Sequence, residues 1–120
     1  MTAITGQTPT APYLSEATSP QLDTLTFQSL ATGETHTFPV GVRGTILLIT
    51  NTNATAAATV TIASTNDPYG RTSAIAAFSV AAGGFVQRKF LPLGWESASG
   101  SGLVNFTVSA SGLDVAALVL

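Results

Sequence analysis

His36 is the only histidine of the chain, and histidine is the side chain most often used for proton transfer near neutral pH. By strand alternation it falls on the same face as Phe38 and Val40, which favours a packed core or interface residue. A catalytic triad would also need a nucleophile, and no Gly-x-Ser-x-Gly motif supplies one. The sequence therefore predicts no catalytic residue, and we do not expect an enzyme.

The acidic residues show no metal-binding or paired-carboxylate pattern. They are scattered, mostly beside predicted turns: Glu16, Asp23, Glu34, Asp67, Glu96 and Asp114. A glycosidase needs only two carboxylates at the right separation, but no local pattern pairs any two of these. Asn66 and Asp67 lack the dense acidic spacing of a calcium loop, so they predict a turn. Cysteine is absent, and the glycine-rich stretches lack the Lys-Ser/Thr of a phosphate loop. No metal and no cofactor are predicted.

A few side chains are better suited to contacts than to chemistry. Trp95 lies in a predicted loop, where it either caps one end of the core or anchors an interface, with sugar stacking a third interpretation. Tyr69, between Pro68 and Gly70, is a similar candidate. Arg88 and its neighbour Lys89 point to opposite sides of a predicted strand, so at least one is solvated or paired across an interface. The predicted interface residues are Tyr13, Leu14, Tyr69, Arg71, Arg88 and Trp95.

The composition indicates a folded chain with a weakly charged surface. Hydrophobic residues make up 45% of the 120 residues and charged residues only 8%, against about 25% in ordinary soluble domains. Hydroxyl and amide groups must form most of the polar surface, and they are cheaper to desolvate than ions. This favours a protein that packs against neighbours, the alternative being a monomer with a bland surface. The net charge of −2 argues against nucleic-acid binding, and neither a signal peptide nor a membrane span is predicted.

The chain divides into an extended N-terminal arm, residues 1–23, and a β domain, residues 24–120. The arm contains three prolines and no sustained periodicity, and it either lies across a neighbouring subunit or is a free terminus. From Leu25 onward, short alternating β-branched runs are separated by Gly, Asn and Pro turns. Residues 45–50 are apolar on both faces, as in a central strand. The predicted fold is all-β: a single β-sandwich or jelly roll of about eight antiparallel strands.

The order of these runs resembles small β-sandwich virion proteins of tailed bacteriophages, of the capsid cement or decoration type. The resemblance covers residues 34–120: Thr45-Ile46-Leu47-Leu48-Ile49-Thr50, the turn Asp67-Pro68-Tyr69-Gly70-Arg71, Phe78-Ser79-Val80, and the closing runs 104–111 and 115–120. It implies a structural protein of the virion, assembled in the host cytoplasm and placed on the capsid surface. Its implied partners are the major capsid protein and further copies of itself, with a trimer favoured, and neither nucleic acid nor membrane.

The resemblance leaves alternative functions open. Another virion component of the neck, tail or fibre would share the same sandwich, and a carbohydrate- or receptor-binding module is a third interpretation. For a cement protein, removing the arm is expected to abolish capsid binding and to leave the fold intact.

Overall fold

The computed structural model describes residues 2–8, 25–63, 75–92, 94–97 and 101–120. Ten strands lie in these ranges: β1 (Thr2–Ala3), β2 (Gly6–Gln7), β3 (Gln28–Ser29), β4 (His36–Pro39), β5 (Thr45–Asn51), β6 (Ala58–Ile62), β7 (Ile75–Val80), β8 (Phe85–Phe90), β9 (Leu103–Val108) and β10 (Leu113–Val119). They form two sheets. Sheet A has the order β1-β4-β9-β6-β7, and sheet B has the order β2-β10-β5-β8, with β3 also paired to β10.

Strands β3 to β10 form a jelly roll. The first pairs with the last and each inner strand with its counterpart, so that β3 pairs with β10, β4 with β9, β5 with β8 and β6 with β7, all antiparallel. The chain is thus one long hairpin rolled into two sheets, which the pairs β10–β5 and β6–β9 complete. The predicted all-β sandwich or jelly roll is confirmed, and the strand pairing fixes the connectivity that alternation alone left open.

The core lies between the two sheets and is built from alternate residues of each strand. Strand β5 is central in sheet B, as predicted from its apolar residues on both faces. Three phenylalanines fill the middle of the core: Phe38 packs on Phe90 and Phe106 with ring centroids 5.4 and 5.7 Å apart. All three are at most 1% exposed.

The beginning of the predicted arm is part of the sandwich. Residues 2–8, here called the N-terminal strap, cross from one sheet to the other: β1 pairs with β4 and β2 with β10, both in parallel. Between them Ile4 is only 3% exposed and its N–H donates to the carbonyl of Thr37 at 2.8 Å. The boundary predicted at residue 24 therefore does not separate this segment from the β domain. Residues 9–24 of the arm lie outside the described residues.

Two glutamine side chains hold the strap in place. The amide of Gln28 accepts from the Thr5 N–H at 2.7 Å and donates to the Ala3 carbonyl at 3.4 Å. The amide of Gln7 donates to the Thr26 carbonyl at 2.6 Å and accepts from its N–H at 2.9 Å. Because both amides bond to backbone, the strap closes one side of the sandwich against its own chain.

Candidate functional site

His36 is a core residue, as strand alternation predicts. It is fully buried and packs against Phe106 with ring centroids 5.4 Å apart. Its Nε2 lies 2.8 Å from the Ala31 carbonyl oxygen, while Nδ1 has no hydrogen-bond partner and lies 3.8 Å from a carboxylate oxygen of Glu34. A ring enclosed in this way has no access to a substrate, so it offers no general base to the surface.

The acidic side chains within the described ranges do not assemble a site. Glu96 accepts the Gly102 N–H at 2.8 Å and closes a loop, in keeping with the turn positions predicted for most acids. No group of three or more His, Asp or Glu side chains that could hold a metal ion occurs in this part of the chain. In the same ranges, no helix is long and apolar enough to cross a membrane.

Trp95 packs against the end of the core. Its ring meets Phe90 edge-on, with centroids 5.1 Å apart, and the side chain is half-buried. The structure therefore supports the core-capping interpretation for this residue, and the interface role stays a prediction.

Arg88 and Lys89 lie on opposite faces of β8, as predicted. Arg88 pairs in register with the core residue Leu47 and so belongs to the inner face, whereas Lys89 pairs with Ile46 on the outer face. Arg88 lines a cavity of about 210 Å³ between β7 and β8, together with Phe78. Since β8 is an edge strand, an inward-pointing charge there opposes the addition of a further strand.

The other predicted interface residues lie outside the described residues: Tyr13, Leu14, Tyr69 and Arg71. Their role as contacts stays a prediction.

Exposed aliphatic side chains are concentrated at one end of the sandwich. Val42 is 93% exposed, and three leucines beside it are 40 to 50% exposed. We call these four side chains the apolar end: Val42, Leu91, Leu103 and Leu120. Because soluble proteins rarely expose large contiguous apolar patches, this end is the candidate contact surface.

A tight turn presents Val42 at the tip of the apolar end. The Gly44 N–H donates to the Gly41 carbonyl at 2.9 Å, and Gly44 has a φ of 100° that favours glycine. A Cβ at Gly44 would also lie 2.9 Å from the Phe90 carbonyl oxygen, so the turn lies against β8. Val42 and the exposed Arg43 occupy the middle of this turn.

The flanking leucines lie beside the same turn or at its base. The Leu120 N–H donates to the Gly44 carbonyl at 3.1 Å, which places the last described residue beside the turn. Leu103 pairs with Pro39 at the base of the same loop, and a Cβ at Gly44 would lie 3.2 Å from a methyl group of Leu91. The turn and the three leucines thus come from four separate segments of the chain, which meet at this end of the sandwich.

The loops at the opposite end of the sandwich are built from small and polar residues. They are residues 31–35, 52–57, 81–84 and 109–112, which contain only Ala, Gly, Ser, Thr, Asn and Glu. Hydrogen bonds from Thr52 to the Gly112 carbonyl and from Gly83 to the Asn53 carbonyl join these loops. Phe85, which follows one of these loops, is 58% exposed, so the two ends differ in their aliphatic side chains: among the described residues, only the apolar end exposes large ones.

The apolar end is not predicted by the sequence patterns described above. A signal was present, since Val42 is a β-branched residue placed between glycines in a predicted turn, where polar residues are usual. The leucines gave no such sequence signal. Each lies at or next to the end of a strand, and its exposure depends on how the ends of the two sheets meet.

Comparison with known proteins adds no functional assignment. The chain matches no family model, no curated protein and no solved structure.

Proposed function

We propose that this chain is a non-enzymatic structural protein of a bacteriophage virion, which cements or decorates the capsid by binding the major capsid protein through its apolar end. The observation that carries the proposal is the difference between the two ends of the jelly roll. One end exposes Val42 at 93% with leucines around it, while the other carries small and polar loops. A protein with one apolar end is suited to binding a larger protein surface through that end.

The chemistry of the apolar end suggests what it binds. Apolar side chains give affinity when they are buried in a partner's pockets, and the Gly41–Gly44 turn holds Val42 in a fixed position before binding. Arg43 in the same turn favours a partner with acidic groups around those pockets. Many such modest contacts, repeated over a capsid, would stabilise the shell through multivalency.

The same end could serve a neck, tail or fibre-associated protein, which is the alternative within the same class. The carbohydrate-binding alternative has less support, because the chain's single tryptophan is half-buried against Phe90 at the end of the core. An aromatic platform for sugars needs an exposed ring.

Locating the protein in assembled particles tests the proposal. Particles of the phage that encodes the chain would be purified and imaged by electron cryomicroscopy, with and without the gene for this protein. We expect density for a 12.2 kDa jelly roll on the outside of the head, missing from the deletion particles. Density at the neck or tail would favour the alternative, and absence from the particle would reject both.

A further inference from the structure

The two sides of the sandwich are closed differently. On one side the N-terminal strap pairs with β4 and β10, and Ile4 fills the gap between the sheets, where it is only 3% exposed. On the other side the sheets end at β7 and β8, and no strand within the described ranges pairs with the outer edge of either. The cavity of about 210 Å³ lies between these two edge strands. The second side therefore has space where the first has a packed side chain.

This cavity has a buried apolar floor and an accessible mouth. Leu47 and Ile49 of β5 belong to the floor and are at most 2% exposed. Phe78 and Val86 at the rim are half-buried, and Arg88 beside them is exposed, so the cavity reaches the surface. Because an apolar cavity of about 150 Å³ can bind benzene, this one has room for one large apolar side chain.

Strand β7 can accept a further strand along this edge. The Ser109 N–H donates to the Thr59 carbonyl at 3.0 Å and the Ser109 Oγ accepts the Thr59 N–H at 2.8 Å, so the backbone of Thr59 faces the β9 side. The N–H and carbonyl of Ser79, its partner on β7, therefore point away from β6. The register shift in this pair lies before Phe78, and β7 contains no charged residue and no proline. On β8, by contrast, Arg88 opposes strand addition.

Arg88 sets the charge that an occupant of the cavity should carry. Its side chain lines the cavity from the inner face of β8, and it makes no ion pair with any residue that the structure describes. The acidic side chains of the same ranges are placed elsewhere: Glu34 beside His36, Glu96 on the Gly102 N–H, and Asp114 on β10, two strands from β8. A guanidinium at the mouth of an apolar cavity favours a carboxylate on the group that enters, because it offers charge-assisted hydrogen bonds.

We infer that the cavity between β7 and β8 is a docking site for an extended segment of a partner protein. The segment adds a short strand to β7 at Ser79, places one large apolar side chain in the cavity and places a carboxylate beside Arg88. The N-terminal strap shows the same arrangement within one chain, since Ile4 fills the opposite gap between two strands of two residues each. The inference does not rest on capsid binding through the apolar end, because that end involves different residues.

A nuclear magnetic resonance titration of the full chain with a designed peptide tests the inference. The peptide is acetyl-Thr-Glu-Thr-Leu-Thr-Glu-Thr-amide, in which both Glu side chains share a face with Leu in an extended strand, so that either strand direction is served. We expect saturable shifts of the amide signals of Phe78, Ser79, Val86 and Arg88. The same peptide with Ala in place of Leu leaves the cavity unfilled and should bind about tenfold more weakly or worse.

Substitution of Arg88 tests the charge contact. Arg88→Glu should weaken binding of the Leu peptide about tenfold or more, and a peptide with Lys in place of both Glu should recover binding to this variant. Lys89→Glu is the matched control, because it makes the same charge change one residue along, on the outer face of β8. We expect it to change the affinity by no more than about twofold, and circular dichroism should show that both variants are folded.

Three results would overturn the inference. The first is the absence of saturable shifts, or shifts confined to strands other than β7 and β8, which is also the result expected if the chain itself fills the cavity. The second is equal weakening by Arg88→Glu and Lys89→Glu. The third is equal binding of the Leu and Ala peptides.

Discussion

Asn51 shows how one buried amide joins a loop to both sheets. The side chain is 1% exposed; its Nδ2 donates to the carbonyls of Ala56 and Val80 at 2.9 and 3.2 Å, and its Oδ1 accepts the Asn53 N–H at 3.0 Å. Replacing the donor by an oxygen would set a carboxylate against two carbonyl groups. We expect Asn51→Asp to lower the free energy of unfolding by about 3 kcal/mol, as measured by urea denaturation.

Asn53→Asp is the control for this prediction. The Oδ1 of Asn53 accepts the N–H groups of Thr55 and Ala56 at 3.1 and 3.3 Å, and a carboxylate would still accept them. Its change in stability should stay within about 0.5 kcal/mol. Similar losses for the two variants would show that the donor role of Asn51 is unimportant.

Substitutions of Trp95 test the core-capping interpretation directly. Because the ring is half-buried against Phe90, Trp95→Ala should lower the free energy of unfolding by roughly 2 kcal/mol, about half the cost at a fully buried site. Trp95→Phe keeps an aromatic contact and should lose less. A glycan array measured on both variants gives the second readout: sugar binding by the wild type that disappears with Trp95→Ala at unchanged stability would restore the carbohydrate interpretation.

At the scale of single residues, the sequence predicted which face of a strand a side chain occupies better than it predicted which residues that side chain contacts. Alternation was enough to place His36 on the core face and to separate Arg88 from Lys89, because side chains in a strand alternate between its two faces with a period of two residues. It could not predict that Val42 lies among leucines, since those residues come from different loops that meet only at the end of the fold.

Among the structural elements, the N-terminal strap is the one that the sequence did not predict. Its strands are two residues long and its pairings parallel, so it has neither a period nor a turn signal. The longer strands were predictable because each has β-branched alternation between Gly or Asn turns. Gly33, Gly83 and Gly112 do adopt positive φ at such turns.

The strap makes the fold depend on the start of the chain. Ile4 fills the side of the core between the sheets, and Ile4→Ala should therefore lower the free energy of unfolding by about 2–4 kcal/mol. Thr5→Ala removes an exposed side chain and keeps the backbone N–H bonded to Gln28, so it should change stability by at most about 0.5 kcal/mol. Urea denaturation of both variants checks the difference.

The expected effect of deleting the arm changes accordingly. Removing residues 1–23 would take away the strap with Ile4, so loss of capsid binding by that variant would not isolate a contact role. Deleting residues 9–23 alone while keeping the strap is not a clean test either, since it shortens the connection between β2 and β3. Equal stability of Ile4→Ala and the wild type would show that the strap is dispensable and that the simpler deletion is informative.

At the scale of the whole molecule, the fold class was predictable and the way the chain meets its partners was not. Low charge and alternating runs lead to a β-sandwich, because they determine which faces are buried within each strand. The pairing of first with last strand, and hence which loops share an end, depends on contacts far apart in sequence. The apolar end arises from that pairing.

The central claim is that the chain binds the capsid through its apolar end. The measurement that tests it most directly is co-sedimentation of the protein with phage heads that lack it. Val42→Asp places a charge at the tip of the apolar end, and Ala82→Asp places the same charge in an exposed loop at the opposite end. We expect saturable binding by the wild type and by Ala82→Asp, and affinity reduced about tenfold or more for Val42→Asp. Equal binding by the two variants, or no binding by the wild type, would contradict it.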